Sequence, residues 1–535
     1  MTHLRVAVLS IDALGADLLW KFVDEGELPA FSKLISSGAV VERLKTTLPP
    51  TTAPAHAAAI TGCYPVKTGI TGNLIFEPST DRAFMYSYTA FGLDSRSLLV
   101  EPAWCILEKQ GFSQLVIGYP LSWPPPVRNV VGAYFNYDLH LKESQRLKVP
   151  LKDGEGFFKV GESSISLKAG GHGVMLACSG RKEQLEVGGW SSWLPTSIKG
   201  SKGFFRLKLL RLEEGLAEIY VSEIFKKLDA IKGELASKLM KGMGIYPGAG
   251  DGFGLYQQRI DLELFEETLE EALNWTLKTF LKALTSSGWD VLWFYTPLLD
   301  TAQHAFGIEG NHTKHFYKLM DEMVARALEH LPEDVCLVIY SDHGMTKVER
   351  ELRVNVLLKK LGYQCWRDTG KGYMEVDLQR SQTLFVDPCH IFILSGGDAK
   401  ERILQDLKKE LSKLRDPWRG ERVCRVMEKE EALKYGLGGR RAGDLILIPE
   451  PDCHSTGIVR GEEPLSVVPT YFRASHETHP SHPGMDGILM MYGDKIASKS
   501  LKRAKIVDLA PTIFELLGVR GHGGMDGRPL SELLK

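Results

Sequence analysis

The chain of 535 residues contains no run of eighteen apolar residues, so no segment is long enough to cross a membrane as a helix. Neither sign of charge dominates. Lys and Arg number 65 against 67 Asp and Glu, a net charge of −2, which lacks the basic surplus a nucleic-acid surface needs. The eight cysteines (63, 105, 178, 336, 365, 389, 424 and 453) form no C-x-x-C pair. That scatter excludes a thiolate zinc site and a disulfide scaffold, and makes a reducing, cytoplasmic compartment the expectation. The N-terminal apolar stretch Val6–Ile11 is cut by Asp12, too early for a signal peptide, and reads as a first buried strand. There is no internal repeat and no low-complexity segment.

What is present is the composition of a globular protein, 44% apolar and 25% charged, at a length that calls for two or three domains. Apolar β-rich runs alternate with helical periodicity. Arg5–Ile11 reads as a strand, and a helix follows over residues 18–38. Gln114–Gly118 is a short strand, and the proline-rich Tyr119–Pro126 after it must be loop. A helix over Leu262–Ser286 precedes a strand Val291–Leu299 that stops at Asp300. A helix over His315–His330 leads into the strand Val335–Tyr340. Ile488–Tyr492 and Ile506–Leu517 read as a last strand and helix. Buried strands alternating with helices predict an α/β fold, a doubly wound and mostly parallel sheet covered by helices on both faces. Between residues 139 and 258 the texture changes to short alternating runs broken by glycines, which predicts an inserted β-rich cap or accessory subdomain. The catalytic core is then discontinuous, 1–138 and 259–535. Residues 345–480 are mixed, with a helix near 399–414.

Chemistry concentrates at Leu48-Pro-Pro-Thr-Thr-Ala-Pro-Ala-His56. Pro49, Pro50 and Pro54 stiffen a loop, a small-residue helical run follows, and Gly62 is its expected stop. A hydroxyl there, on Thr51 or Thr52, faces the positive end of the helix, an environment suited to a phosphoryl oxygen. By itself such a threonine is ordinarily an N-cap. Three aspartates at expected strand ends, Asp12, Asp300 and Asp342, supply the rest, since ligands of open α/β sheets sit at the carboxyl ends of strands. Asp300 and His304, four apart, share one helix face at about 5–6 Å between Cβ atoms. Asp342 and His343 are adjacent, and Gly344 leaves room for the turn that aims them at one ion. The cluster His476-Glu-Thr-His-Pro-Ser-His482 precedes the last strand and offers one more imidazole. Histidine with carboxylate and no thiolate suits catalytic zinc or manganese, and the inventory suits two ions about 3.5–4 Å apart around a phosphoryl group.

These residues resemble the type I phosphodiesterase/nucleotide pyrophosphatase family of the alkaline phosphatase superfamily. The resemblance lies in Thr52-Ala-Pro-Ala-His56, in Thr61-Gly-Cys-Tyr-Pro65, and in the Asn of Gly69-Ile-Thr-Gly-Asn73. It implies a metal-dependent hydrolase of phosphodiester or pyrophosphate bonds working through a phospho-threonine intermediate. Thr52 would be the nucleophile, and Asn73 would donate to a non-bridging oxygen. One metal would sit on Asp12, Asp342 and His343. The other would sit on Asp300, His304 and a late histidine, for which His482 fits best while His476 and His479 stay open. Two divalent ions, Zn²⁺ or alternatively Mn²⁺, and a small-molecule phosphodiester or nucleotide substrate follow from the same likeness. A sulfatase is disfavoured, because threonine cannot become formylglycine. A phosphonate hydrolase or phosphomonoesterase of the same superfamily, and a catalytically inactive ligand-binding member, remain alternatives. No arginine lies within residues 48–73, which favours a diester. Trp123 is read either as a pocket wall or as core. Tyr86, Tyr88 and Phe91 are read either as base-stacking or as packing residues. Oligomeric state and the physiological substrate are left open.

Overall fold

The computed structural model describes residues 4–77, 93–134, 139–370, 373–467, 472–519 and 523–535. They form two compact units, Met1–Phe135 with Leu281–Lys535, and Asn136–Phe280.

The first unit is a mixed α/β body around a central sheet. Its strands include β1 (Arg5–Ile11), β2 (Ala39–Lys45), β3 (Gln114–Ile117), β4 (Val130–Val131), β5 (Val291–Thr296), β6 (Val335–Tyr340), β7 (Gly487–Tyr492) and β8 (Ser500–Leu501), and Ala504–Lys505 also pairs with β2. Across the sheet the order is β4-β3-β5-β1-β6-β7-β2-β8. β1 is central and parallel to both neighbours, with Ile11 opposite Thr296 and Ser10 opposite Tyr340. β7 runs antiparallel to β6 and to β2. All side chains from Val6 to Ile11 are buried, which is why this strand reads as a continuous apolar run rather than an alternating one.

The helices α1 (Ala16–Asp24) and α2 (Pro29–Ser37) replace the single helix expected over 18–38. The chain turns through Gly26 at φ +76°, and Pro29 opens α2 at a position where its missing N–H costs nothing. α3 (Thr52–Thr61) starts three residues earlier than a loop through Pro54 would allow, because proline is tolerated in a first helical turn. Every residue of α3 is buried, and Gly62 ends it in the left-handed region at φ +66°. The strand expected over Val291–Leu299 stops at Thr296. Pro297 lacks an N–H for the ladder and caps α4 (Leu298–Phe306), so Asp300 lies in a first helical turn rather than at a strand end. The long helix Asn311–Glu329 follows.

An antiparallel excursion lies between β6 and β7, including a four-stranded sheet of Thr383–Val386, His390–Ile393, Leu445–Pro449 and Cys424–Glu428. The helix Gly397–Lys413 packs on it through Ile403, Leu407 and Leu411. Trp123 packs against the main apolar core, and its ring leaves no room for a side chain at Gly132.

The second unit is built of antiparallel sheets, among them the meander Glu155–Val160, Ser163–Gly170, Gly173–Cys178 and Arg181–Glu186. It has its own core of residues such as Ile165, Val174, Phe205 and Ile219. The unit extends to 280, beyond the 258 suggested by composition. The first turns of the helix Leu262–Leu284 are held to the segments between its strands, with Glu267 accepting from Trp190 Nε1 at 2.7 Å and Glu271 pairing with Arg206 at 2.5 Å. Among the described residues, no helix is long and apolar enough to cross a membrane.

Candidate metal centre and nucleophile

Three adjacent parallel strands deliver the site to one edge of the sheet. β1 ends into Asp12 and β6 into Ser341-Asp342-His343, while β5 runs through Pro297 into α4 with Asp300 and His304. Because β7 is antiparallel, the segment ahead of it reaches the same edge and carries His476.

The side chains gather into two groups, Asp12 with Asp342 and His343, and Asp300 with His304 and His476. In the first, His343 Nε2 lies 3.3 Å from Asp12 Oδ1 and 3.1 Å from Asp342 Oδ2. In the second, Asp300 stands 3.4 Å from His304 Nε2 and 3.7 Å from His476 Nε2. The groups adjoin, since the rings of His343 and His476 stack with centroids 3.9 Å apart.

His482, the late histidine preferred from sequence, is outside both groups. Its Nδ1 accepts from the Gly484 N–H at 3.1 Å and caps the short turn Pro483–Met485. His479 likewise bonds to Ser481. His476 takes the place because the strand pairing of Ala474–Ser475 with Thr346–Lys347 ties the residues just before it beside β6. Spacing to the next strand, the criterion used on the sequence, measures nothing of that tie.

All three grouped histidines are held in one tautomer. Nδ1–H donates to a carbonyl in each: Ala474 for His304 at 2.7 Å, Pro50 for His476 at 2.9 Å, and Gly344 for His343 at 3.2 Å. A carbonyl only accepts, so each Nε2 is left with its lone pair toward the carboxylates, the arrangement of metal-bound imidazoles. Asp12 Oδ1, Asp342 Oδ2, Asp300 Oδ1 and His343 Nε2 are buried without hydrogen-bond partners. Burial pushes the carboxyls of Asp12, Asp300 and Asp342 well above their usual range, and each feels a neighbouring carboxylate as well. Burial pushes the imidazoles of His304 (to about 3), His343 and His476 down. No Lys or Arg pairs with the three aspartates among the described residues. Orphaned acceptors, clustered carboxylates and neutral imidazoles fit divalent cations, whose charge would satisfy all of them.

Thr51 is the N-cap of α3 but makes no side-chain capping bond. Thr52, the first helical residue, instead donates from Oγ1 to Asp12 Oδ2 at 3.4 Å, and Tyr295 Oη donates to the same oxygen at 2.5 Å. Asn73 Oδ1 accepts from the Ala53 N–H at 2.9 Å, which fixes the amide so that its NH₂ is left to donate elsewhere.

His56, present in the motif but given no role from sequence, is fully buried and held neutral by burial, its pKa pushed down to about 3. Its Nδ1–H donates to the Thr52 carbonyl at 2.8 Å, and Nε2 accepts from Ser10 Oγ at 2.8 Å. It therefore ties α3 to β1 one turn from Thr52. Only its i,i+4 spacing from Thr52 hinted at this. Tyr295 left no signal in the sequence, because it sits within an apolar strand. Tyr86, Tyr88 and Phe91 lie outside the described residues.

The type I phosphodiesterase/nucleotide pyrophosphatase family model matches residues 6–161 and 231–479, about three quarters of the chain, and passes over 162–230 in the β-rich unit. A mouse protein named bis(5'-adenosyl)-triphosphatase enpp4 is 26% identical over 147 residues. That stretch is 27% of this chain and spans only 30% of the mouse protein's length. Among solved structures, murine ectonucleotide pyrophosphatase/phosphodiesterase 5, in an inactive form bound to AMP, superposes with a TM-score of 0.55 at 12% identity. The human counterpart gives 0.54 at 13%, and both cover 99% of this chain and all of their own, a likeness of fold. With its motifs and its sheet-edge site in place, the chain belongs to the type I phosphodiesterase/nucleotide pyrophosphatase family, a family of phosphoric ester hydrolases.

Proposed function

We propose that this chain hydrolyses phosphodiester or pyrophosphate bonds at a two-metal site, through a phosphorylated Thr52. The observation that carries the reading is the Thr52 hydroxyl bonded to Asp12, within a group in which Asp12 Oδ1, Asp342 Oδ2 and His343 Nε2 are buried without a hydrogen-bond partner. Bound divalent cations would neutralise the carboxylates and lower the pKa of a hydroxyl or water at the centre. Asp12, Asp342 and His343 would hold one and Asp300, His304 and His476 the other. Zinc is the first choice for this donor set, with manganese second.

The protein's own residues do the rest. Asp12 Oδ2 receives the Thr52 hydroxyl hydrogen bond and orients Oγ1. Oγ1 forms a bond to phosphorus as the bond from phosphorus to the leaving oxygen breaks; the leaving group departs with that electron pair and takes up, through solvent, the proton that Oγ1 gives up. The Asn73 NH₂ donates to a non-bridging oxygen, whose charge grows in the transition state. Water then attacks phosphorus, the Thr52–phosphorus bond breaks, and one proton of that water goes to Oγ1 to restore the hydroxyl. A nucleotide substrate is supported by the family and by the activity in the mouse relative's name. A cytoplasmic, reducing location rests on the cysteines alone, all eight of which are free.

The test is turnover of an aryl phosphodiester, an aryl phosphomonoester and an aryl phosphonate by metal-loaded protein, with a chelated control. Chelator-sensitive preference for the diester supports the reading. Preference for the phosphonate or the monoester reassigns the substrate, and no turnover with both metals bound leaves only the inactive ligand-binding alternative.

A further inference from the structure

A groove of about 930 Å³, within the size range of ligand sites, lies in the first unit. It is lined by five cations, Arg43, Lys45, Lys434, Arg503 and Lys505, against two carboxylates, Asp486 and Asp526. Both carboxylates are already engaged. Asp486 is 1% exposed and pairs with Arg43 at 3.4 Å and Lys45 at 2.6 Å, which holds those two cations in place. Asp526 pairs with Lys67, outside the lining. Lys434, Arg503 and Lys505 have no carboxylate partner among the described residues. The net charge of the chain is −2, so a surplus of cations gathered in one concavity is local and not a property of the whole surface.

The groove is also tied to the catalytic loops. Leu48 lines it and is four residues from Thr52, and His479 lines it and is three residues from His476. A fully extended chain spans at most about 14 Å over four residues and about 11 Å over three. Lys45 leaves β2 at the edge where β7 begins, since Leu44 pairs with Gly487.

We propose that this groove is a second anion site that takes a phosphate chain of two or more phosphates, adjacent to the metal centre. Ammonium and guanidinium groups without carboxylate partners match that chemistry. The chain comes either from the non-reacting phosphates of a substrate, which rests on the proposed phosphoryl-transfer reading, or from free inorganic pyrophosphate.

The test compares metal-loaded wild-type protein with Lys434→Glu/Arg503→Glu/Lys505→Glu. Lys434→Gln/Arg503→Gln/Lys505→Gln guards against a folding defect from reversed charge. Three readouts are used: pyrophosphate titration in excess Mg²⁺, turnover of a dinucleoside triphosphate, and turnover of an aryl phosphodiester that has no further phosphate. Pyrophosphate affinity is expected to fall at least tenfold in both variants. A matching tenfold rise in KM for the dinucleoside triphosphate, with the aryl diester unchanged, identifies the substrate as the source. Weaker pyrophosphate binding with both substrates unchanged identifies free pyrophosphate. Unchanged pyrophosphate affinity, or equal losses on both substrates, overturns the site. Should wild-type protein fail to turn over the aryl diester, the hydrolase reading fails while the pyrophosphate titration still decides the groove.

Discussion

Thr52 and Asp12 meet at 3.4 Å, oxygen to oxygen, although forty residues separate them. One begins a buried helix and the other directly follows the central strand, and this contact joins the proposed nucleophile to the candidate metal-binding group. Thr52→Ala should lower turnover by at least about 10³-fold, because the proposed nucleophile is lost. Metal content, read by elemental analysis, should stay at the wild-type level. Near-normal turnover by this variant would sink the covalent mechanism.

Asn73 has one observed bond, from the Ala53 N–H, and one proposed role as a donor, which two substitutions separate. Asn73→Asp keeps an oxygen for the Ala53 N–H but loses the NH₂ donor. A drop of about 10²-fold in kcat is expected from a lost transition-state donor. Asn73→Ala loses both, and should add a stability decrease of about 1 kcal/mol for the missing bond at the helix start. If both variants keep full kcat, Asn73 has no part in charge stabilisation.

His476 and His482 make contrasting predictions. His476→Ala should weaken one metal by about 10–100-fold or more and leave the other in place, readable as a drop toward half stoichiometry on dialysis. His482→Ala should keep both metals, since its ring caps a local turn. The reverse outcome would restore His482 as a ligand.

Metal affinity should rise with pH, and the aspartates should set the slope. The carboxyls of Asp12, Asp300 and Asp342 are raised without metal, so they hold protons at a pH where free aspartates would not, and binding must release them. The imidazoles of His304, His343 and His476 are depressed and already neutral at pH 7, so they contribute no release there. Competition titration against a chelator from pH 4 to pH 8.5, with proton release followed in weak buffer, checks both statements. A flat affinity across that range would contradict them.

Removing the Tyr295 hydroxyl tests the support of Asp12. Tyr295→Phe should keep both metals and reduce kcat more than it changes KM, because the lost bond is to the carboxylate oxygen that also holds Thr52. Loss of metal in this variant would mean that Tyr295 serves the ligand geometry instead.

Local pattern in the chain determined the α/β class, the buried strands β1, β5 and β6, the Thr52 motif, and five of the six side chains of the candidate metal groups. Strand ends and i,i+4 spacing are short-range properties, and a strand buried on both faces cannot hide its apolar run. Tertiary structure decided the rest. Proline at 297 moved Asp300 from a strand end into a helix. The choice of His476 over His482 came from the pairing of Ala474–Ser475 with Thr346–Lys347, more than a hundred residues earlier in the chain. Tyr295 and the basic groove depend on which segments pack side by side. That outcome is set by the free energy of burying whole elements, and spacing along the chain does not record it.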